Sequence, residues 1–121
     1  VPVPLHRLRL WQRRYNQAAE LARYLGREQG ICVASHALIR TRPTPSQGAM
    51  PSARARRRNV QGAFGVADPA AVAGRRVLLI DDVMTTGATA QACARALRRA
   101  GAIEIHVLAL ARVVRATDMP I

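Results

Sequence analysis

Apolar and polar positions along the chain fall into blocks with two different periods. Val1-Pro2-Val3-Pro4 reads as the tail of a strand running into a loop, because proline cannot donate within a central strand. Asn16 is placed to cap a helix whose apolar face is Ala18, Leu21, Ala22 and Leu25, with a stop near Gly30. Ile31 to Ile39 is apolar enough for a second strand. Residues 40 to 59 hold Pro43, Pro45, Gly48, Pro51 and six arginines, the composition of a loop with a helical turn or two near its end. Val60 to Val66 reads as a further strand and Asp68 to Gly74 as a connector. Val77-Leu78-Leu79-Ile80 is a continuous apolar run, expected of a strand buried on both faces of a parallel sheet. A helical pattern follows a short turn, with Ala92, Ala96, Leu97 and Ala100 on one face and Gly101 as the stop. Ile103 to Val113 is the last strand. Strands alternating with helices predict a parallel α/β sheet, with any ligand at the carboxyl ends of the strands.

The densest chemistry lies between the apolar run and the last helix. Asp81 and Asp82 stand where the strand should end, and the turn Thr85-Thr86-Gly87-Ala88-Thr89 leads into the helix. A helix N-terminus carries unpaired N–H groups and partial positive charge, so it stabilises a phosphate. Gly87 lets the backbone approach the anion, and the three threonines add hydroxyl donors. Each charge-assisted hydrogen bond contributes roughly 1.5–3 kcal/mol, so several together hold a phosphate against water. The carboxylates would repel that phosphate. They suit a neutral, hydroxylated group beside it, and the vicinal hydroxyls of a ribose 5-phosphate meet both demands. A plain turn with a helix entry, or a carboxylate Mg²⁺ site, are the alternative readings; the second leaves the threonine-glycine turn without a role.

Length and charge narrow the class. A chain of 121 residues is one domain, long enough to bury a single core. Half of it is apolar and 23 residues are alanine, so the core must rest on the Val, Leu and Ile runs, with small side chains bringing helices close to the sheet. The 19 basic residues are all arginine, against 7 acidic ones, for a net charge of +12. Such a field attracts polyanions, and guanidinium forks favour bidentate contact with phosphate; GC-rich coding would also raise both Arg and Ala. Cys32 and Cys93 have no metal or disulfide spacing and fit buried thiols in a reducing compartment. His36 and His106 sit in apolar strands as structural residues. Trp11 and Tyr15 among arginines suit either packing on one helix face or stacking of bases. No stretch reaches the roughly 20 apolar residues of a membrane helix, and no signal peptide is visible, so a cytoplasmic location is expected.

The run from Asp81 to Thr89 closely resembles the phosphoribosyl pyrophosphate (PRPP) motif of the type I phosphoribosyltransferases. Four flanking segments narrow the resemblance to the ComF family of competence-associated, phosphoribosyltransferase-like proteins: Val-Pro-Val-Pro-Leu-His at 1–6, Arg-Arg-Tyr-Asn-Gln at 13–17, Thr-Pro-Ser-Gln at 44–47 and Arg-Arg-Arg-Asn-Val-Gln-Gly-Ala-Phe at 56–64. The chain departs from that pattern at Arg14 and Tyr15, where Gly and Phe are usual, and at Ala55, where an acidic residue is usual. The resemblance implies a type I phosphoribosyltransferase fold, a central parallel sheet of four or five strands with helices on both faces, over residues 1–121. Family members commonly carry an N-terminal zinc module of paired cysteines, and its absence here suggests a fragment or short form.

Carried over by position, the resemblance makes Asp81 and Asp82 the ribose pair and Thr85, Thr86, Gly87, Ala88 and Thr89 the 5′-phosphate loop. Leu5, His6 and Arg7 match the pyrophosphate loop, with Arg56 as a basic group closing over the site; Asp81, Asp82 and Arg56 would be the catalytic set. Mg²⁺ would arrive on the substrate's own oxygens, with few direct protein ligands. The expected reaction is phosphoribosyl transfer from PRPP to a nitrogen acceptor. The competing reading is a DNA-uptake accessory that binds single-stranded DNA through Arg54, Arg56, Arg57 and Arg58, with the PRPP site as sensor or relic. A solvated loop is the third reading of that arginine cluster. Oligomeric state is left open, a dimer included.

Overall fold

The structure is a computed structural model, described here for residues 1–4, 16–41, 54, 62–84 and 87–112. Along the chain these residues form α1 (Gln17–Gln29), β1 (Leu38–Arg40), β2 (Phe64–Val66), a 3₁₀ turn (Pro69–Ala71), β3 (Arg76–Met84), α2 (Ala88–Arg99) and β4 (Glu104–Arg112). β3 and β4 pair in parallel, with Arg76 opposite Glu104, Leu79 opposite Val107 and Met84 opposite Arg112. On the other edge of β3 the opening residues run alongside it, also in parallel, through a bridge at Pro2 and Ile80. Val3 N–H donates to the Ile80 carbonyl at 2.8 Å, and Ile80 N–H donates to the Val1 carbonyl at 2.8 Å. Pro2 is tolerated because its neighbours make both bonds. The opening segment is thus a strand tail, as its sequence predicts.

Successive residues of a strand face opposite ways, and β3 has a helix on each side. Ile80 packs against Ala18 and Ala22 of α1, with Leu21, Leu25 and Val33 around them. Val77 and Leu79 belong to the larger core with Ala92, Cys93, Ala96 and Leu97 of α2. The buried face of α2 is four alanines with Cys93 and Leu97, so the helix lies close to the sheet. Leu79, Leu97, Val72 and Cys93 are the largest fully buried side chains.

The start of α1 depends on one residue. Asn16 Oδ1 accepts from Ala18 N–H at 2.9 Å and from Ala19 N–H at 3.3 Å, while its Nδ2 donates to the Val3 carbonyl at 3.0 Å. The same side chain caps the helix and ties it to the end of the first strand. At the other end, Ile31 N–H donates to the Gly26 carbonyl at 3.0 Å, a helix-closing bond of the Schellman type. The helix therefore has the limits that its cap and stop residues predict.

Several expectations need correcting. The apolar run from Ile31 to Ile39 forms a strand only over Leu38–Arg40, because the chain turns at residues 34–37, where Ala37 N–H reaches the Ala34 carbonyl at 3.4 Å. That short strand does not join the parallel sheet. It pairs antiparallel with β2, placing Arg40 opposite Phe64, with the guanidinium 4.8 Å from the ring centroid in a cation–π contact. Among the described residues, the parallel sheet therefore holds 1–3, β3 and β4, fewer than the four or five strands expected. Leu78 is 37 % exposed, because α1 covers Ile80 and leaves Leu78 at the rim of a groove, so β3 is not buried on both faces along its whole length. Cys32 is exposed, since it lies in the irregular stretch after α1 rather than in a strand. His36 is exposed in the turn, and His106 is exposed on β4, so neither is a core residue.

Replacing Asn16 by Ala should destabilise the fold by about 1–2 kcal/mol, the upper range for a lost helix cap. Asn16→Asp keeps the cap acceptor and loses only the bond to Val3, so it should cost less. Urea denaturation midpoints of the two variants check the order; equal losses would mean that the cap contributes nothing.

Candidate functional site

The connection that leaves strand 1–3 runs through α1 on one face of the sheet, whereas the connection from β3 to β4 runs through α2 on the other. Adjacent parallel strands whose connections depart to opposite faces leave a crevice outside their carboxyl ends. Residues 81 to 84 of β3 and Pro4 lie at that end. The sequence predicts that Asp81 and Asp82 follow the strand; instead both lie within it, since β3 continues to Met84. The polar pair does not stop the ladder, because backbone pairing with β4 persists to Arg112.

Both carboxylates are folded along the chain. Asp81 Oδ1 accepts from Asp82 N–H at 2.9 Å, and Asp82 Oδ1 accepts from Val83 N–H at 2.8 Å. Asp81 is only 8 % exposed, and Asp82 is half-buried. Burial pushes the Asp81 carboxyl up from 3.8 to about 6, helped by a side-chain hydrogen bond and charge repulsion from Asp82; the Asp82 N–H and the Arg40 charge act in the other direction. Burial and the neighbouring Asp82 charge thus both disfavour the ionised form of Asp81.

Two residues not assigned to the site from the sequence belong to this environment, one of them Cys93, which is the buried thiol its sequence predicts. Arg40 arrives from β1, held over Phe64, and its positive charge acts on Asp81. Cys93 of α2 is completely buried, and its thiol is pushed well above the usual range by burial and by the Asp81 charge. Arg40 is hidden in the sequence by its position at the edge of a loop-like, arginine-rich stretch; only its pairing with Phe64 directs it inward. Cys93 carries the weak signal of lying on the apolar face of its helix.

Gly87 is the N-cap of α2, with φ 82° and ψ 3°. That left-handed conformation is costly for any residue with a Cβ, and a Cβ built there would meet nothing within 4 Å. The position is therefore open, next to a helix N-terminus whose dipole favours an anion. Gln91 N–H donates to the Gly87 carbonyl at 2.9 Å, completing the first turn. Ala88 is buried and packs into the core, so it can offer a ligand its backbone but not its side chain; Thr89 is half-buried in the same turn. Asp81 and Asp82 are thus placed by β3, and Gly87, Ala88 and Thr89 by the start of α2, the next element along the chain. Thr85 and Thr86, Leu5, His6 and Arg7, and Arg56, Arg57 and Arg58 lie outside the described residues, as do Trp11 and Tyr15; Arg54 is exposed. Among the described residues, no group of three or more His, Cys, Asp or Glu could hold a metal ion, and no helix is long and apolar enough to cross a membrane.

Asp81 and Asp82 lie towards the end of β3 and Gly87 opens α2, and comparison with known families assigns the chain to one of them. The phosphoribosyl transferase domain model matches residues 16–120, and the chain belongs to that family, within it to the ComF group. Competence protein F of Haemophilus influenzae is 41 % identical over 113 residues, covering 93 % of this chain and 49 % of that protein. The DNA utilization protein YhgH of Escherichia coli K12 is 41 % identical over 112 residues, covering 93 % and 48 %, and that of Salmonella typhi is 38 % identical over 112 residues, with the same coverage. The chain spans about half the length of the curated relatives it matches. No solved structure matches it.

Because Asp81 holds its proton to a higher pH when folded, its ionisation is linked to stability. Between pH 3.8 and about 6 the folded chain holds a proton that the unfolded chain has released, so stability should fall as pH rises through that window and stay lower above it. Asp81→Asn removes the buried charge while keeping an acceptor for the Asp82 N–H. It should raise the thermal midpoint at pH 7, by up to about 3 kcal/mol in stability, and converge on the wild type near pH 4. Thermal melts of both proteins across pH 4–8 check this; parallel curves would mean that Asp81 ionises as in the unfolded chain.

Proposed function

We propose that the crevice at the carboxyl ends of strand 1–3 and β3 binds Mg²⁺·PRPP, and that the domain transfers the phosphoribosyl group to a nitrogen acceptor with release of pyrophosphate. The observation that carries the reading is the single unit running from the buried Asp81 to the open, left-handed Gly87 at the N-terminus of α2. In it, Thr85 to Thr89 anchor the 5′-phosphate, and Asp81 and Asp82 accept hydrogen bonds from the ribose 2′- and 3′-hydroxyls. Leu5, His6 and Arg7, which follow the first strand in sequence, receive the pyrophosphate through backbone N–H groups and a guanidinium, with Arg56 opposing the same charge.

The chain's contribution is placement and charge. As the bond from C1 to the pyrophosphate oxygen lengthens, its electron pair leaves with the pyrophosphate, and the acceptor nitrogen's lone pair forms the new bond on the opposite face. Basic groups on the pyrophosphate side favour that departure, while the ribose pair keeps C1 in line. Among the described residues, Asp81 and Asp82 are the carboxylates here, and both Oδ1 atoms already accept backbone hydrogen bonds. They suit hydroxyls better than a metal cage, so Mg²⁺ would ride on the substrate's phosphate oxygens and neutralise their charge.

Calorimetric titration tests the assignment. Gly87→Val should abolish PRPP binding in a folded protein, because its side chain occupies the open space beside the helix. Asp81→Asn with Asp82→Asn should weaken PRPP much more than inorganic phosphate, and wild-type affinity for PRPP should rise with pH through about 6 as Asp81 ionises. Equal losses for both ligands would remove the ribose assignment. Pyrophosphate release against a panel of bases and amines then asks whether bound PRPP turns over.

The relatives named for competence and DNA utilization favour a second reading, an accessory that binds single-stranded DNA through Arg54, Arg56, Arg57 and Arg58. Changing all four to Ala should lower DNA affinity and make its salt dependence shallower by about 0.7 for each phosphate no longer neutralised. The effect on PRPP should be concentrated in Arg56→Ala alone. A quadruple variant with wild-type DNA binding and salt slope would sink the DNA reading.

A further inference from the structure

Among the described residues, β4 has a strand partner on one side only. Its nine residues, Glu-Ile-His-Val-Leu-Ala-Leu-Ala-Arg, pair with β3, and among the described residues no strand lies along the other edge. Val107 is 40 % exposed, Leu108 41 % and Leu110 73 %, so apolar side chains are uncovered on both faces of the strand. Natural sheets protect such edges with proline, lysine, bulges or central charges. β4 has neither proline nor lysine, and between its terminal Glu104 and Arg112 the only titratable side chain is His106.

The sequence of this edge is complementary to itself. We propose that β4 pairs antiparallel with β4 of a second copy, across a two-fold axis through Leu108. In that register Leu108 faces its own counterpart, Val107 faces Ala109, His106 faces Leu110 and Ile105 faces Ala111. Glu104 of each copy then faces Arg112 of the other, giving two opposite-charge pairs that close the ladder at both ends. Slipping the register by two residues removes both pairs, so charge selects one alignment, and directly opposed charges are the pairs that count across strands. Glu104 already lies 3.4 Å from Arg76 and 3.1 Å from His106 of its own chain, with half of its side chain exposed, and so has room for a further cation. The pairing is isologous, as closed dimers require. It joins two parallel sheets into one continuous sheet with an antiparallel centre, and it leaves the crevices at the carboxyl ends of the strands open. The inference is independent of which ligand those crevices take.

Sedimentation velocity of the 121-residue chain over a concentration series tests it, with circular dichroism checking that each variant is folded. The wild type should show a concentration-dependent dimer. Leu108→Lys places two ammonium groups opposite each other on the axis, and Arg112→Glu sets a carboxylate of one copy against Glu104 of the other. Each should weaken the dimer at least tenfold, more so at low salt for Arg112→Glu. Glu104→Arg combined with Arg112→Glu restores opposite charges in the same register and should return the dimer. A wild type that stays monomeric at all concentrations overturns the proposal, the result expected if another segment covers the edge. It is equally overturned by a dimer indifferent to both single variants, or by a double swap that remains monomeric.

Discussion

The alternation of side chains along β3 is the constraint from which the rest of the molecule follows. Leu79 and Ile80 are neighbours in sequence and face opposite ways, so each needs its own cover; α2 supplies one and α1 the other. Once two parallel strands have their helices on opposite faces, their carboxyl ends are left without a connecting chain crossing between them. The strand that forms the core also carries Asp81 and Asp82 towards that end. Strand 1–3 completes the arrangement with two backbone hydrogen bonds to Ile80 and one from the Val1 amino group to the Leu78 carbonyl, reinforced by Asn16 through the Val3 carbonyl.

Much of this is legible in the sequence, and the reasons differ from element to element. α1 is evident from Asn16 to Gly30, because a cap, a periodic apolar face and a stop agree with one another. β4 lies within a residue of its expected limits at each end. The stretch from Ile31 to Ile39 misleads because a short apolar run carries no information about its partner, and the local turn at 34–37 consumes most of it. The end of β3 falls later than expected, since an acidic pair looks like a boundary when only burial preference is considered. Backbone pairing with β4 is the stronger influence. Arg40 escapes notice for a related reason: its importance lies in the residue opposite, Phe64, far along the chain.

The site itself combines a stabilising requirement with a destabilising one. A carboxyl that is almost fully buried, with a second one beside it, lowers the stability of the fold above the pH at which it ionises. Such placements are characteristic of positions selected for ligand chemistry rather than for packing. Arg40 relieves part of the charge from one side, and the Asp82 N–H from another. The remaining cost is of the kind that a hydroxylated ligand, donating hydrogen bonds to the ionised form, would reduce.

The contrast between the two cysteines carries a different consequence. Cys32 is exposed, whereas Cys93 is fully enclosed beneath α2 with its thiol held in the protonated state. Because the thiolate is the reactive form, a water-soluble alkylating reagent has immediate access to the first and reaches the second only when α2 separates from the sheet. The chain therefore contains its own clock for breathing of that helix. The slow phase of alkylation reports how often the helix lifts away, and any molecule that pins its N-terminus would lengthen that interval without touching the sulfur.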